Sequence, residues 1–356
     1  MSATLPRRRF VQWLGVACAT GALPGRAQPA PRYMADMHSH IGMFMPNFLG
    51  FDLKEHMRTT GTTLLAWSIT DDNRWIAPGP QGLKQVSQPQ PGELWNNFRA
   101  RLDRYTALLD KWGVAKALTP ADIDAALAGE PRVLLATEAA NFLEGDPHRV
   151  AQAHAWGIRH MQMVHYIDSP LGDHQTAQPR HAGITEPGRQ VIRECNRLGI
   201  VVDLAHASPA FVDAALEVAK APVVWSHSGS APRHGRGRRR LTCPARCRCC
   251  RRARSPRGGA MGLWSVRVRG DPAYAVHNVR TFADETVRMC DLVGPEHVAF
   301  GTDMEGAGPG PILSDYGDLL EVAVDLARRG LPDAMLHGIF IGNYVRIAKA
   351  AMTPAS

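Results

Sequence analysis

Beyond its N-terminal stretch this chain of 356 residues has no run of 18 to 20 apolar residues, so it offers no internal membrane span. Acidic residues are absent from two stretches where arginine is crowded. Residues 1–27 hold four Arg, and 233–257 hold eleven Arg in 25 positions. Setting these fifteen aside leaves 26 basic against 33 acidic residues, a net of about −7. The formal charge of +8 is therefore local to two segments and does not describe a face built for nucleic acid. Cysteine is sparse outside 233–257: Cys18, Cys195 and Cys290 have no near partner in sequence, which excludes a disulfide framework. Several catalytic signatures are missing too. There is no Gly-x-Ser-x-Gly elbow, no His-Glu-x-x-His helix, no Gly-x-x-x-x-Gly-Lys phosphate loop and no Gly-x-Gly-x-x-Gly after the first strand.

What is present begins with a targeting pattern. Arg7-Arg8-Arg9-Phe10-Val11 resembles a twin-arginine export motif, with a modest apolar stretch from Phe10 to Leu23 and small residues around Gly25-Arg26-Ala27. Residues 1–27 are expected to be a signal peptide directing the protein to the periplasm, and 28–356 to be the working domain.

Along that domain, short β-rich runs alternate with helical periodicity. The strands are expected at Tyr33–His40, Thr62–Ile69, Pro131–Glu138, Ile158–Tyr166, Ile200–His206, Pro222–His227, Ala260–Val266 and His297–Asp303. Helices fit Glu93–Trp112, Asp146–Gly157, Glu186–Leu198 and Val276–Leu292. Eight strands with interposed helices predict an α/β fold, a single (β/α)8 TIM-type barrel.

Reactive groups of such barrels sit where the strands end. Here the strand ends read Asp36-Met37-His38-Ser39-His40, Thr137-Glu138, Val164-His165, Asp203-Leu204-Ala205-His206, Trp225-Ser226-His227 and Gly301-Thr302-Asp303. His-x-His on a strand sends both imidazoles to one side, because side chains alternate with period two, and that suits a zinc-type ion. His206 and His227 offer ligands for a second ion. Glu138, with two oxygens, is able to bridge the pair.

These runs, together with Gly157-Ile158-Arg159-His160, Leu171-Gly172-Asp173, Gly183-Ile184-Thr185-Glu186-Pro187-Gly188, Asn196 through Ser208 and Gly342-Asn343-Tyr344, resemble the membrane dipeptidase (renal dipeptidase-like) family of zinc peptidases. The resemblance implies a metal-dependent dipeptidase with two Zn2+ per chain and a small peptide as its partner. It leaves a homodimer open. His38 and His40 would bind the first zinc, His206 and His227 the second, and Glu138 both. His165 would contact the substrate or the oxyanion, and Asp303 would shuttle the proton of the zinc-activated water that attacks the peptide bond. Two departures stand out. The family pattern at the first strand is His-x-Asp, whereas this chain has His38-x-His40, which adds one unit of positive charge. Met304-Glu305 replaces the usual Phe-Asp. Other binuclear hydrolases acting on amides, lactones or phosphoesters, and an inactive damaged homologue, are the alternatives.

Residues 233–257 break the pattern. A helix should follow the sixth strand. The chain instead reads Arg233-His234-Gly235-Arg236-Gly237-Arg238-Arg239-Arg240, then Cys243, Cys247, Cys249 and Cys250 among further arginines. A basic arm, a cysteine knuckle and a shifted reading frame compete. The last accounts at once for the arginine, the cysteine, the absent acids and the sharp edges. The family's carboxylate-gripping arginine falls in this stretch, with Arg238 at a suitable distance and Arg233 and Arg236 as rivals.

Overall fold

The computed structural model describes residues 31–44, 50–79, 82–230, 242–243, 261–263, 276, 278–306 and 312–353. The expected signal peptide, Arg233, Arg236, Arg238 and all of 233–257 except Thr242 and Cys243 lie outside the described residues.

In chain order the strands are β1 (Met34–Ser39), β2 (Thr62–Thr70), β3 (Ile76–Gly79), β4 (Gly82–Gln85), β5 (Ala115–Lys116), β6 (Arg132–Glu138), β7 (Ile158–Gln162), β8 (Val201–Asp203), β9 (Trp225–Ser230), β10 (Thr242–Cys243), β11 (Met261–Leu263) and β12 (Val298–Phe300). The ladder β1-β2-β6-β7-β8 is parallel throughout, as is β9-β11-β12. Two isolated parallel bridges join these arcs. Asp203 pairs with Val224 at one seam and Ser39 with Met304 at the other. The eight strands thus close into the expected barrel, while β3 and β4 form an antiparallel hairpin outside it.

Period-two alternation decides which residues fill the barrel. Ala35, Met37, Leu64, Ala66, Leu134, Ala136, Val201, Val224 and Ala299 form one buried cluster, covered by Tyr344, Ile347, Ala348 and Ala351 of the C-terminal helix. The alternate residues Leu65, Trp67, Ile69, Val133 and Leu135 belong to the larger cluster with the surrounding helices. Burial on both faces explains why β2, Thr-Thr-Leu-Leu-Ala-Trp-Ser-Ile-Thr, has no exposed position.

Helix periodicity reads through to the structure. Glu93–Trp112 buries Leu94, Phe98, Leu102, Tyr105 and Leu109 and ends at Gly113, whose φ of 63° suits a residue without Cβ. Glu186–Leu198 starts on the Thr185 side chain, which accepts from the backbone N–H of Gly188, and stops at Gly199. Val279–Val293 begins with an Asn278–Thr281 capping box, three residues later than periodicity alone placed it. The expected strands ending at Tyr166 and His206 stop earlier, at Gln162 and Asp203. Beyond β8 the backbone leaves the extended region altogether: His206 has φ 64°, which no β-strand accommodates.

Candidate metal centre

Five strand ends deliver the predicted side chains to one buried space. Nε2 of His38 and Nε2 of His40 lie 3.2 Å apart. His40 Nε2 is 3.2 Å from Glu138 Oε2 and 3.2 Å from Asp303 Oδ1. His38 Nε2 is 3.5 Å from Glu138 Oε1 and 3.8 Å from Asp303 Oδ1. On the other flank of Glu138, Nε2 of His206 and of His227 are 2.8 Å apart, and lie 3.8 and 3.9 Å from Glu138 Oε1. Each of these residues is at most 5% exposed.

Two groups of donors result: His38, His40, Glu138 and Asp303, and Glu138, His206 and His227, each with its donor atoms within 4.8 Å of one another. Glu138 alone belongs to both. Ligands about 2.0–2.1 Å from a tetrahedral ion stand roughly 3.4 Å from each other, so most of these separations are those of donors around a shared cation. Local bonding also leaves the right atoms free. His40 Nδ1 lies 2.6 Å from the carbonyl oxygen of Ser68, which only accepts, so Nδ1 carries the hydrogen and Nε2 is left as a donor for metal.

Electrostatics point the same way. Burial alone would lower the His40 pKa, but Glu138 and Asp303 outweigh it and raise it to about 10. Without an ion, the carboxylates thus draw a proton into the cluster. His206 and His227 go the other way. Burial first, then neighbouring imidazoles, hold both well below the ordinary histidine value, leaving neutral rings with available lone pairs. Glu138 stays ionised. Burial opposes this, but His165 and His40 hold its carboxyl well below the usual range.

Backbone strain gathers at the same rim. His206 and Asp303 both adopt left-handed conformations, with φ 64° and 52°, each costing on the order of 1 kcal/mol or more for a residue with Cβ. Gly301, just ahead of Asp303, is required by close approach, since a Cβ there would sit 1.6 Å from the carbonyl oxygen of Ser226.

A family model described as membrane dipeptidase (peptidase family M19) matches residues 85–237 and 271–356. The chain belongs to that family. The match lapses between 238 and 270, a stretch that contains most of the arginine-rich segment. Among curated relatives, dipeptidase aclJ of Aspergillus oryzae is 28% identical over 60% of this chain and 50% of its own length. Dipeptidase 3 of Rattus norvegicus is 27% identical over 54% of this chain and 39% of its own. The chain therefore spans about half the length, or less, of the curated relatives it matches. Among solved structures, a metallopeptidase from Rhodobacter sphaeroides, liganded with a phosphinate mimic of the dipeptide L-Ala-D-Ala, superposes with a TM-score of 0.73 at 17% identity, covering 91% of this chain and 100% of that one. At that identity the likeness speaks for the fold.

Asp72, two residues beyond the end of β2, joins the site although it is not among the residues expected from the sequence. Its Oδ1 lies 2.8 Å from His165 Nδ1, and its Oδ2 accepts from the backbone N–H of Tyr166 at 3.1 Å. His165 then presents Nε2 to Glu138 Oε1 at 3.1 Å. Burial would lower the His165 pKa, but Asp72 and Glu138 raise it well above the ordinary value. The signal was in the sequence: Thr70-Asp71-Asp72 obeys the strand-end rule that found the other residues. Beside this group Tyr166 meets two imidazoles edge to face, with ring centroids 4.3 Å from His165 and 5.1 Å from His206. It also lines a cavity of about 420 Å³ walled by the β3–β4 hairpin, His174 and Arg180. Glu305, one of the departures from the family pattern, accepts from the backbone N–H groups of Gly42 and Phe44 and so ties down the loop after β1. No described helix is long and apolar enough to cross a membrane.

Proposed function

We propose that the protein is a dipeptidase that works with two zinc-type ions. The observation that carries this is the placement of Glu138: one buried carboxylate shared between two sets of histidine donors. His38, His40 and Asp303 would hold one ion with Glu138, and His206 and His227 the other. When bound, such a pair would supply hydroxide at neutral pH by lowering the pKa of water, and would polarise a carbonyl.

The chain's own groups complete the chemistry. Asp303 takes the proton of the attacking water at its carboxylate and returns it to the leaving amine nitrogen as the C–N bond breaks. His165, held at Nδ1 by Asp72, directs Nε2 into the same space and donates to the carbonyl oxygen as that oxygen gains charge. The cavity beside Tyr166 falls within the roughly 300–1,000 Å³ of small-molecule sites and supports a small substrate. The test is direct. Elemental analysis should give two zinc-type ions per chain, and a panel of dipeptides should be cleaved, with cleavage lost to a chelator and restored by zinc. A fully metallated, folded sample that leaves every dipeptide intact but opens lactones or phosphoesters would transfer the site to a different hydrolase chemistry.

Asp72→Ala should separate positioning from metal binding. Metal content stays at two ions, while kcat falls by about 10- to 100-fold because His165 loses the partner that fixes its tautomer and orientation. Equal loss of metal and rate would assign Asp72 to the metal site instead.

We also propose export through the twin-arginine route, on the strength of Arg7-Arg8 and the apolar stretch behind them. Replacing both arginines by lysine should hold the precursor in the cytoplasm. Processed protein still reaching the periplasm, followed by immunoblotting of cell fractions, would refute that route.

A further inference from the structure

Two buried aspartates outside both donor groups occupy equivalent places. Asp36 lies within β1 two residues before His38, and Asp203 ends β8 three residues before His206. Both are fully buried. Asp36 Oδ1 accepts from the backbone N–H of His38 and from that of Thr302 on the neighbouring strand end, each at 3.0 Å. Asp203 Oδ1 accepts from the backbone N–H of Ala205 at 2.9 Å and from that of Ser226 on its neighbouring strand at 3.0 Å. The pattern is the same: one oxygen bonds the residue two ahead and the next strand over.

The second oxygens match as well. Asp36 Oδ2 accepts from Tyr316 Oη at 2.9 Å and Thr302 Oγ1 at 2.5 Å. Asp203 Oδ2 lies 3.2 Å from His160 Nε2, whose Nδ1 is 2.9 Å from Tyr344 Oη. Each carboxylate is thus braced from behind by an aromatic side chain.

Their location gives the pattern its meaning. Where β2 meets β6, seven consecutive residue pairs hold the ladder. The β8–β9 and β12–β1 seams, in the described residues, rest on isolated bridges and a pair of backbone hydrogen bonds each: Leu204 N to Val224 O and Val224 N to Val202 O at one, His40 N to Met304 O and Asp303 N to His38 O at the other. The donor groups straddle these seams. His38, His40, Glu138 and His206 ride on the longer arc, whereas His227 and Asp303 ride on the shorter one.

We infer that Asp36 and Asp203 are seam clamps, each setting one metal site. Asp36 fixes Asp303 against His38 and His40, and Asp203 fixes His227 against His206. The inference rests on the two-ion reading of the site. A backbone N–H donated to a buried carboxylate is among the stronger hydrogen bonds, and errors of an ångström in ligand placement are enough to lose an ion.

The clamps predict site-selective loss, which general destabilisation would not produce. Metal per chain is counted by elemental analysis after dialysis against a mild chelator, below the unfolding temperature of each variant. Asp203→Ala should retain one ion. Adding His227→Ala should leave that count unchanged, and adding His38→Ala should bring it to zero. Asp36→Ala should give the mirror image, indifferent to His38→Ala and emptied by His227→Ala. Asp36→Asn and Asp203→Asn keep the accepting oxygen and should each retain two ions, which also covers the case in which an alanine variant fails to fold. Either alanine variant keeping two ions, or both losing both, would overturn the clamps. So would asparagine variants as depleted as the alanine ones, since charge rather than geometry would then be acting. A wild-type protein without metal would instead defeat the two-ion reading beneath them.

Discussion

Glu138→Gln is expected to empty both metal sites and abolish turnover while leaving the barrel folded. The carboxylate is the one group shared by the two sets of donors, with Oε1 facing His38, His165, His206 and His227 and Oε2 facing His40. An amide keeps the volume and one acceptor, and Thr70 Oγ1, which donates to Oε2 at 3.0 Å, still finds an oxygen if the amide turns that way. What the amide lacks is the charge and the second ligating oxygen. Loss of partners that only orient a ligand costs about 10- to 100-fold in metal affinity, so removing the shared ligand itself should cost at least about a hundredfold at each site. The rate should fall further, because oriented charge at a reacting centre is by itself worth on the order of 100- to 1,000-fold. Metal titration by calorimetry and single-substrate kinetics read the two effects separately. Unchanged turnover, or loss of one ion with the other held at wild-type affinity, would remove Glu138 from the bridging position.

That glutamate could be picked from the sequence because it ends a strand, and so could the histidines. The rule works for a physical reason: in a closed parallel barrel the strand ends converge, so polar residues there meet although they lie far apart in the chain. Period-two alternation put His38 and His40 on the same side, but gave no sign of the register shift in β1 between Asp36 and Ser39. It could not tell where a strand stops. The expected strands Ile158–Tyr166 and Ile200–His206 overrun the observed ones because an apolar run continues past the last ladder pair. At Asp203 the stop is made by a side chain that captures Ala205 N–H and Ser226 N–H, a three-dimensional event with no local sequence mark. The Asp72–His165 contact was hidden for a related reason. Residues 93 positions apart are joined only by the curl of the barrel, and nothing in Asp71-Asp72 says which of the two turns inward. Asp71 in fact turns away, accepting from the backbone N–H of Phe142 at 2.7 Å. The hairpin at Ile76–Gln85 escaped because its strands, Ile-Ala-Pro-Gly and Gly-Leu-Lys-Gln, carry a single β-branched residue and no alternation.

Restoring the reading frame across residues 233–257 is expected to stabilise the protein by several kcal/mol. We propose that this stretch is frame-shifted coding sequence, and three observations support the proposal. The family match stops at 237 and resumes at 271, with well-matched sequence on both sides. The stretch stands where the alternation of strand and helix calls for a helix between β9 and β11, yet between 236 and 257 Leu241 is the sole aliphatic side chain larger than alanine. Pro244 and Pro256 would each remove a helical hydrogen bond, and eleven arginines without an acid repel one another. A barrel helix normally buries several leucine- or valine-sized side chains at about 1.5–3 kcal/mol each, so a sequence that supplies one forfeits an amount comparable with the roughly 5–15 kcal/mol that holds a typical domain together. The corrected chain should therefore melt at a clearly higher temperature. It should also hydrolyse dipeptides faster, because the arginine that the family resemblance implies for the substrate carboxylate would fall in the same interval, where Arg238 now stands among rivals. Resequencing the DNA decides the frame, and paired thermal melts of the two chains decide the energetics. A confirmed native frame, together with a graft of an amphipathic helix over 233–257 that leaves the melting temperature unmoved, would show that these arginines belong to the working protein.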